Sequence, residues 1–421
     1  MLATSSDRIP TIIHQHIEES AILRNVRSVL LAAPHLKLHH LGRLDDRLAA
    51  HLDSLAVAGE FGWKLCESAL EKLGVGEVFA TTVRAIEDGN SLGLDKLLAL
   101  VEAAPESLPG LISAFGWVSA QHLQGTIKNL LASDSVFQHQ VGIAACAMHR
   151  VDPGAALDAA LADADPSLRA RGLRVAGQCG RRDLLAACVK ALADEDAACR
   201  FWAARSAALL GERGKALDIL KSIALQAGPA QARSLALVLK LIDAGQANAL
   251  LKVVAQDASH IRYLIQGAGM AGDSHYVPWL IKQMEESMLC RLAGESFTFI
   301  TGLDLAYLDL ERKPPENVES GPNDDPNDDN VAMDEDDSLP WPDRVKIQAW
   351  WDVNQQRFQP GVRYFMGERL SVQHCKKVLR EGYLRQRIAA AEYLCLLQPG
   401  TQLFPTSAPA WRQQRWLNQM G

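Results

Sequence analysis

Aromatic residues make up only 6% of the chain, and β-branched residues are sparse through most of it. Strands favour those residue types, so a sheet-dominated fold is disfavoured. No run of about 18 apolar residues occurs, which excludes an ordinary membrane-spanning helix. No Cys-x-x-Cys pair occurs either. The eight cysteines, Cys66, Cys146, Cys179, Cys188, Cys199, Cys290, Cys375 and Cys395, are scattered, which reads as reduced and mostly buried thiols. The first twenty residues lack a basic region followed by an apolar core, so no secretory signal is expected and the cytoplasm is the expected compartment. There is no Gly-x-Ser-x-Gly, no phosphate-binding loop and no His-Glu-x-x-His. Gly267-Ala-Gly269-Met-Ala-Gly272 has no strand pattern before it, and reads as close helix packing or a helix end.

Alanine and leucine dominate what is there, and both form helices well. Apolar residues at 48% and charged residues at 22% describe an ordinary folded chain and exclude wholesale disorder. The charge is uneven. Between Glu311 and Asp337 there are 11 acids and two bases, a net −9 against −7 for the whole chain. Residues 341–421 carry 12 bases and five acids.

A repeat is visible. Leu161-Ala-Asp163-Ala-Asp165-Pro-Ser-Leu-Arg169 returns as Leu192-Ala-Asp194-Glu-Asp196-Ala-Ala-Cys-Arg200, 31 residues on. Each copy continues through small and apolar residues to a glycine, Gly180 or Gly211. Weaker copies follow at Arg233, Arg262 and Arg291, spaced 33, 29 and 29 residues apart, and Gln138 fills the slot upstream. Aspartate caps helix N-termini and glycine ends helices, so each unit predicts a pair of short helices. A single pair cannot bury its apolar face, so the pairs must stack.

The sequence therefore predicts an all-α fold: a HEAT-like α-solenoid with a helical N-terminal cap and a helical C-terminal domain. The expected boundaries are 1–125 for the cap, 126–310 for the repeats, 311–342 for an acidic flexible loop or linker, and 343–421 for a Trp-rich basic C-terminal domain. Helices are expected over 17–31, 41–55, 346–358 and 375–397.

Two stretches carry a resemblance. One is Leu44-Asp45-Asp46-Arg47-Leu48-Ala49-Ala50-His51-Leu52-Asp53. The other runs from Trp350-Trp351 through Phe358, Gly361, Arg363-Tyr364, Gly367 and Gln386–Glu392 to Pro399-Gly400, Leu403-Phe404 and the Ala408–Gln413 run. With the repeats, they resemble a family of bacterial HEAT-like proteins encoded beside type VI secretion spike and effector genes. The resemblance implies a non-enzymatic immunity protein that binds and neutralises a cognate toxin, such as a nuclease, in the cytoplasm. It brings no catalytic motif with it. The alternatives are an effector chaperone or loading adaptor, and a nucleic-acid-acting enzyme on a HEAT scaffold.

Candidate chemistry divides against bland readings. His14, His16, His35, His39 and His40 lack the spacing of a zinc site and read as surface or capping residues, so no metal or cofactor is expected. Asp45, Asp46, Arg47, His51 and Asp53 read as an inter-helix network. The repeat arginines read as a ladder bonded to neighbouring aspartates rather than as a nucleic-acid stripe. The C-terminal bases and tryptophans read as an aromatic core with solvated charge, so no direct nucleic-acid contact is expected. The partner-binding candidates are Asp324, Asp325, Asp328, Asp329, Asp334, Glu335, Asp336 and Asp337, which repel one another and are expected to bury nothing, together with Trp350 and Trp351. A flexible anionic strand can steer toward a basic protein surface.

Overall fold

The computed structural model describes residues 10–315 and 334–420. Among these residues there are 22 α-helices, and the only sheet is a two-residue antiparallel pair, Tyr364–Phe365 against Glu368–Arg369. The chain divides into two compact units: Met1–Gly211 with Arg380–Gly421, and Glu212–Leu379. The stretch expected as one C-terminal domain is therefore shared between them.

In the first unit the helices Val136–Met148, Pro166–Cys179 and Ala197–Leu209 pack in succession. Short outer helices, Ala155–Leu161 and Leu185–Lys190, lie against them. The local signals work as read. The Asp165 carboxylate accepts the Ser167 and Leu168 N–H groups, and Asp196 accepts that of Cys199. Gly180 ends its helix in the left-handed conformation that glycine adopts without penalty. Small residues set the spacing: a Cβ on Gly177 would lie 2.8 Å from Ser206 Cα, and Ser206 Oγ donates to Leu173 O at 2.6 Å.

Upstream, Pro10–Leu30, Leu38–Ala58, Val75–Glu87 and Leu108–Trp117 continue the packing. One apolar core runs from Ile17 to Ala145, so the expected cap and the first repeat share their interior.

The second unit repeats the arrangement. Gln231–Leu241, Ile261–Ala271 and Cys290–Thr301 pack in series, with Lys215–Ala224, Ala244–Val254 and Val277–Gln283 as their partners. Gly269 lets the series close, since its Cβ position lies 3.0 Å from Ser296 Cα. Arg344–Asn354 then seals one side of a core that includes Ile265, Phe297 and Trp351. The helix expected over 375–397 is two helices, Val372–Glu381 and Leu384–Leu397. They part at Gly382-Tyr383, where Leu384 N–H donates to Leu36 O at 2.7 Å and Tyr383 bridges Lys37. This is stacked helix-pair packing of the α-solenoid type within each unit.

Candidate partner-binding site

The repeat arginines form a ladder where the aspartates allow it. Arg169 donates from Nε and Nη2 to both oxygens of Asp194, each at 3.0 Å. Its Nη1 reaches back to the carbonyls of Asp163 and Ala164 in its own turn. Arg200 repeats the second half, bonding the carbonyls of Asp194 and Glu195. The Arg169 hydrogen bond holds the Asp194 carboxyl below its usual range.

The weaker repeats lack this chemistry of their own. Six and four residues before Arg262 stand Gln256 and Ala258; before Arg291 stand Glu285 and Ser287. Glu285 is engaged by Arg344 at 3.0 Å. The carboxylates come instead from the acidic segment. Arg262 holds both oxygens of Asp336, at 2.7 and 3.0 Å. Arg291 donates to Asp334 Oδ2 and to the Asp336 carbonyl, with its guanidinium 4.5 Å from the Trp341 ring centroid. Burial works to raise the Asp334 carboxyl, but the Arg291 hydrogen bond, the Asp336 backbone N–H and the nearby arginine charges carry it below the ordinary value.

The expectation that these acids bury nothing is thereby corrected. Asp336 is 3% exposed and Asp334 is half-buried, because the terminal arginines need counter-charges that their own turns do not supply. Glu335 and Asp337 remain exposed. Asp324, Asp325, Asp328 and Asp329 lie outside the described residues. The two ends of the acidic segment are tied together: Arg312 N–H donates to Trp341 O and Asp343 N–H to Leu310 O, both at 2.8 Å, around a Glu311–Pro342 bridge. The chain leaves and re-enters one unit, so the segment is a loop rather than a linker between domains.

Trp350 and Trp351 do not present a free face. Trp351 is buried and Trp350 half-buried, packed with Phe358 and Phe297 in the core of the second unit. The aromatic-core reading describes their packing.

Several residues of the C-terminal resemblance lie across helix C-termini, which sequence reasoning missed. In the second unit Arg363 donates to the carbonyls of Leu239, Lys240, Ile242 and Ala271, at the ends of two helices. Tyr364 N–H donates to Gly272 O at 2.8 Å, and Gly367 N–H to Ile300 O at 3.0 Å. In the first unit Leu403 N–H donates to Gln178 O at 2.9 Å, beside Gly400 packed on Gly180. Arg412 donates to the carbonyls of Gly116, Trp117 and Val118. Burial, with the Arg415 and Arg27 charges, brings the Arg412 guanidinium down to about 10. These guanidinium and backbone N–H groups satisfy carbonyls at the ends of helices, which have no partner within the helix. The separations exceed 100 residues in most cases, so no local signal could have announced them.

Some of the remaining polar residues have structural partners. Asp45 belongs to an inter-helix network through Arg27 and the Ala410 N–H. His51 Nδ1 lies 3.0 Å from His16 Nδ1. No group of three or more metal-binding side chains occurs among the described residues. Among the described residues no single helix is long and apolar enough to cross a membrane. A groove of about 730 Å³ in the first unit is bordered by Lys37, His39, Asp46, Arg380, Glu381 and Trp411. It mixes both charge signs and converges on no reactive group.

Residues 155–240 match the family described as HEAT repeats. Neither curated proteins nor solved structures supply a match to the chain. The matched stretch contains the two best-formed copies of the repeat, and it supports a helical repeat scaffold of the kind suited to protein–protein interaction.

Proposed function

We propose that the chain is a non-enzymatic immunity protein that binds and neutralises a cognate type VI secretion toxin, a nuclease, in the cytoplasm. The observation that carries this reading is the HEAT-type stacking of helix pairs, a scaffold suited to binding other proteins. The resemblance in Leu44–Asp53 and in the C-terminal motifs supplies the finer assignment to type VI effectors. The local net charge of −9 supports a basic partner surface, such as a nuclease's substrate cleft.

Co-expression tests the proposal. A cognate toxin should kill cells when produced alone and spare them when this chain is present. The two proteins should co-purify, and the purified chain should neither cut nucleic acid nor remove a base. If cells die despite co-expression while toxin delivery requires the chain, it acts as an effector chaperone or loading adaptor instead.

A further inference from the structure

Three turns in this chain share one design. In Asp163-Ala164-Asp165, Asp194-Glu195-Asp196 and Asp334-Glu335-Asp336, the third residue's N–H donates to Oδ1 of the first, at 2.8, 2.9 and 2.9 Å. Each turn is held by repeat arginines through its backbone carbonyls, its carboxylates or both. The first two turns join consecutive repeats. The third comes from the end of the acidic segment, 43 to 74 residues from the arginines that hold it. It occupies Arg262 and Arg291 as a substitute for an inter-repeat turn.

The resident turn leaves the site incompletely satisfied. Arg291 is 5% exposed, yet its Nε–H is buried with no hydrogen-bond partner among the described residues. A buried donor without an acceptor is costly, so an occupant offering one more acceptor there would gain. The Arg262 side chain is 32% exposed, so the site is also open to solvent on one side.

We propose that Arg262 and Arg291, with Trp341 stacked on Arg291, form a receptor for acidic turns of the Asp-x-Asp type, and that the chain's own Asp334-Glu335-Asp336 is its exchangeable resident. The outside ligand is an acidic protein turn carried by a partner. Exchange trades equivalent charge-assisted hydrogen bonds, so the contacts themselves nearly cancel. Occupancy is then set by the effective concentration of the turn, which only residues 337–340 join to Trp341, itself held by the Arg312 N–H; short linkages give values of about millimolar order. This site is independent of the anionic steering invoked above, because here the partner contributes the negative charge.

The probe is a synthetic peptide, Asp-Glu-Asp-Asp-Ser-Leu-Pro, the sequence of residues 334–340. Calorimetry on the full-length chain should detect binding to the Asp334→Asn/Asp336→Asn variant. Binding to the unsubstituted chain should be at least about tenfold weaker, because the tethered resident competes. An analogue with Asn at the first and third positions should not bind. Adding Arg262→Gln and Arg291→Gln to the variant should remove the signal. A folded variant that ignores the acidic peptide, or takes the Asn analogue equally well, overturns the proposal. Should the variant not fold, hydrogen exchange on the unsubstituted chain decides. Amides of Asp336 and Leu339 should lose protection as the peptide is raised to tens of millimolar, above the tether's effective concentration. Unchanged protection overturns the proposal.

Discussion

Arg27 Nε donates to Asp45 Oδ1 at 2.6 Å, and the wholly buried Asp45 carboxylate also accepts the Ala410 N–H at 2.7 Å. Arg27 in turn bonds the carbonyls of Ser407 and Ala408. Two N-terminal helices and the last helix of the chain thus meet at one ion pair. Removing one partner leaves the other charge buried, and such losses cost ~3–5 kcal/mol. Asp45→Ala should lower the unfolding free energy obtained from urea titration by that much. Arg27→Met combined with Asp45→Leu should recover a large part of it, because no charge is then stranded. A double variant as unstable as Asp45→Ala would show that the packing, not the charge, matters.

Glycines at helix ends separate two causes. Gly89 and Gly272 both have positive φ, 66° and 71°. A Cβ on Gly89 meets nothing within 4 Å, whereas one on Gly272 would sit 2.3 Å from Tyr364 O. Gly89→Ala should cost about 1 kcal/mol, the backbone penalty alone. Gly272→Ala should cost clearly more, because the 361–367 segment must also lift. Thermal melts of the two variants measure the difference, and equal shifts would refute the close-packing argument.

Burial pushes the Cys66, Cys188, Cys375 and Cys395 thiols up to about 12. In the unfolded chain these groups ionise near their ordinary value of about 8.5. Between those limits the folded state keeps protons that the unfolded state releases, so stability falls as pH rises. The expected slope is about −1.4 kcal/mol per pH unit for each such thiol. Denaturation at pH 8 and pH 10 measures it, and Cys375→Ala should make the slope shallower. Native thiols should also react slowly with a thiol reagent at pH 8 and rapidly after unfolding.

The acids of the loop should divide into two classes. On the proposed reading, Asp324→Asn, Asp325→Asn, Asp328→Asn and Asp329→Asn together should slow association with the toxin and flatten its salt dependence, since screening acts beyond about 8 Å at physiological salt. Stopped-flow mixing at two salt concentrations tests that. Asp334→Asn with Asp336→Asn should instead cost ~3 kcal/mol or more in stability, because Arg291 loses its counter-charge inside the fold. Equal stability effects from both sets would remove the distinction.

The repeats were legible because their signals are local. Asp165 and Asp196 cap helices three residues away, and Gly180 ends one in place. The aromatic core around Trp350 and Trp351 was legible as an alternative, since paired tryptophans beside Phe358 can bury more surface than they expose. The partition of the acids was not legible. Asp336 and Asp337 are adjacent and chemically identical, and what distinguishes them is contact with Arg262 and Arg291, 74 and 45 residues away. Arg363 was read as a solvated base because its carbonyl partners at 239–242 lie more than 120 residues upstream.

The paired bridge at Glu311 and Pro342, with Arg291 on Asp334 and Arg262 on Asp336, fixes both described ends of the acidic segment within one unit. Changing the length between such points costs only the logarithm of that length, about 0.6 kcal/mol per doubling. An insertion or deletion between Pro315 and Asp334 is therefore expected to leave those attachment points, and the helices beside them, in place.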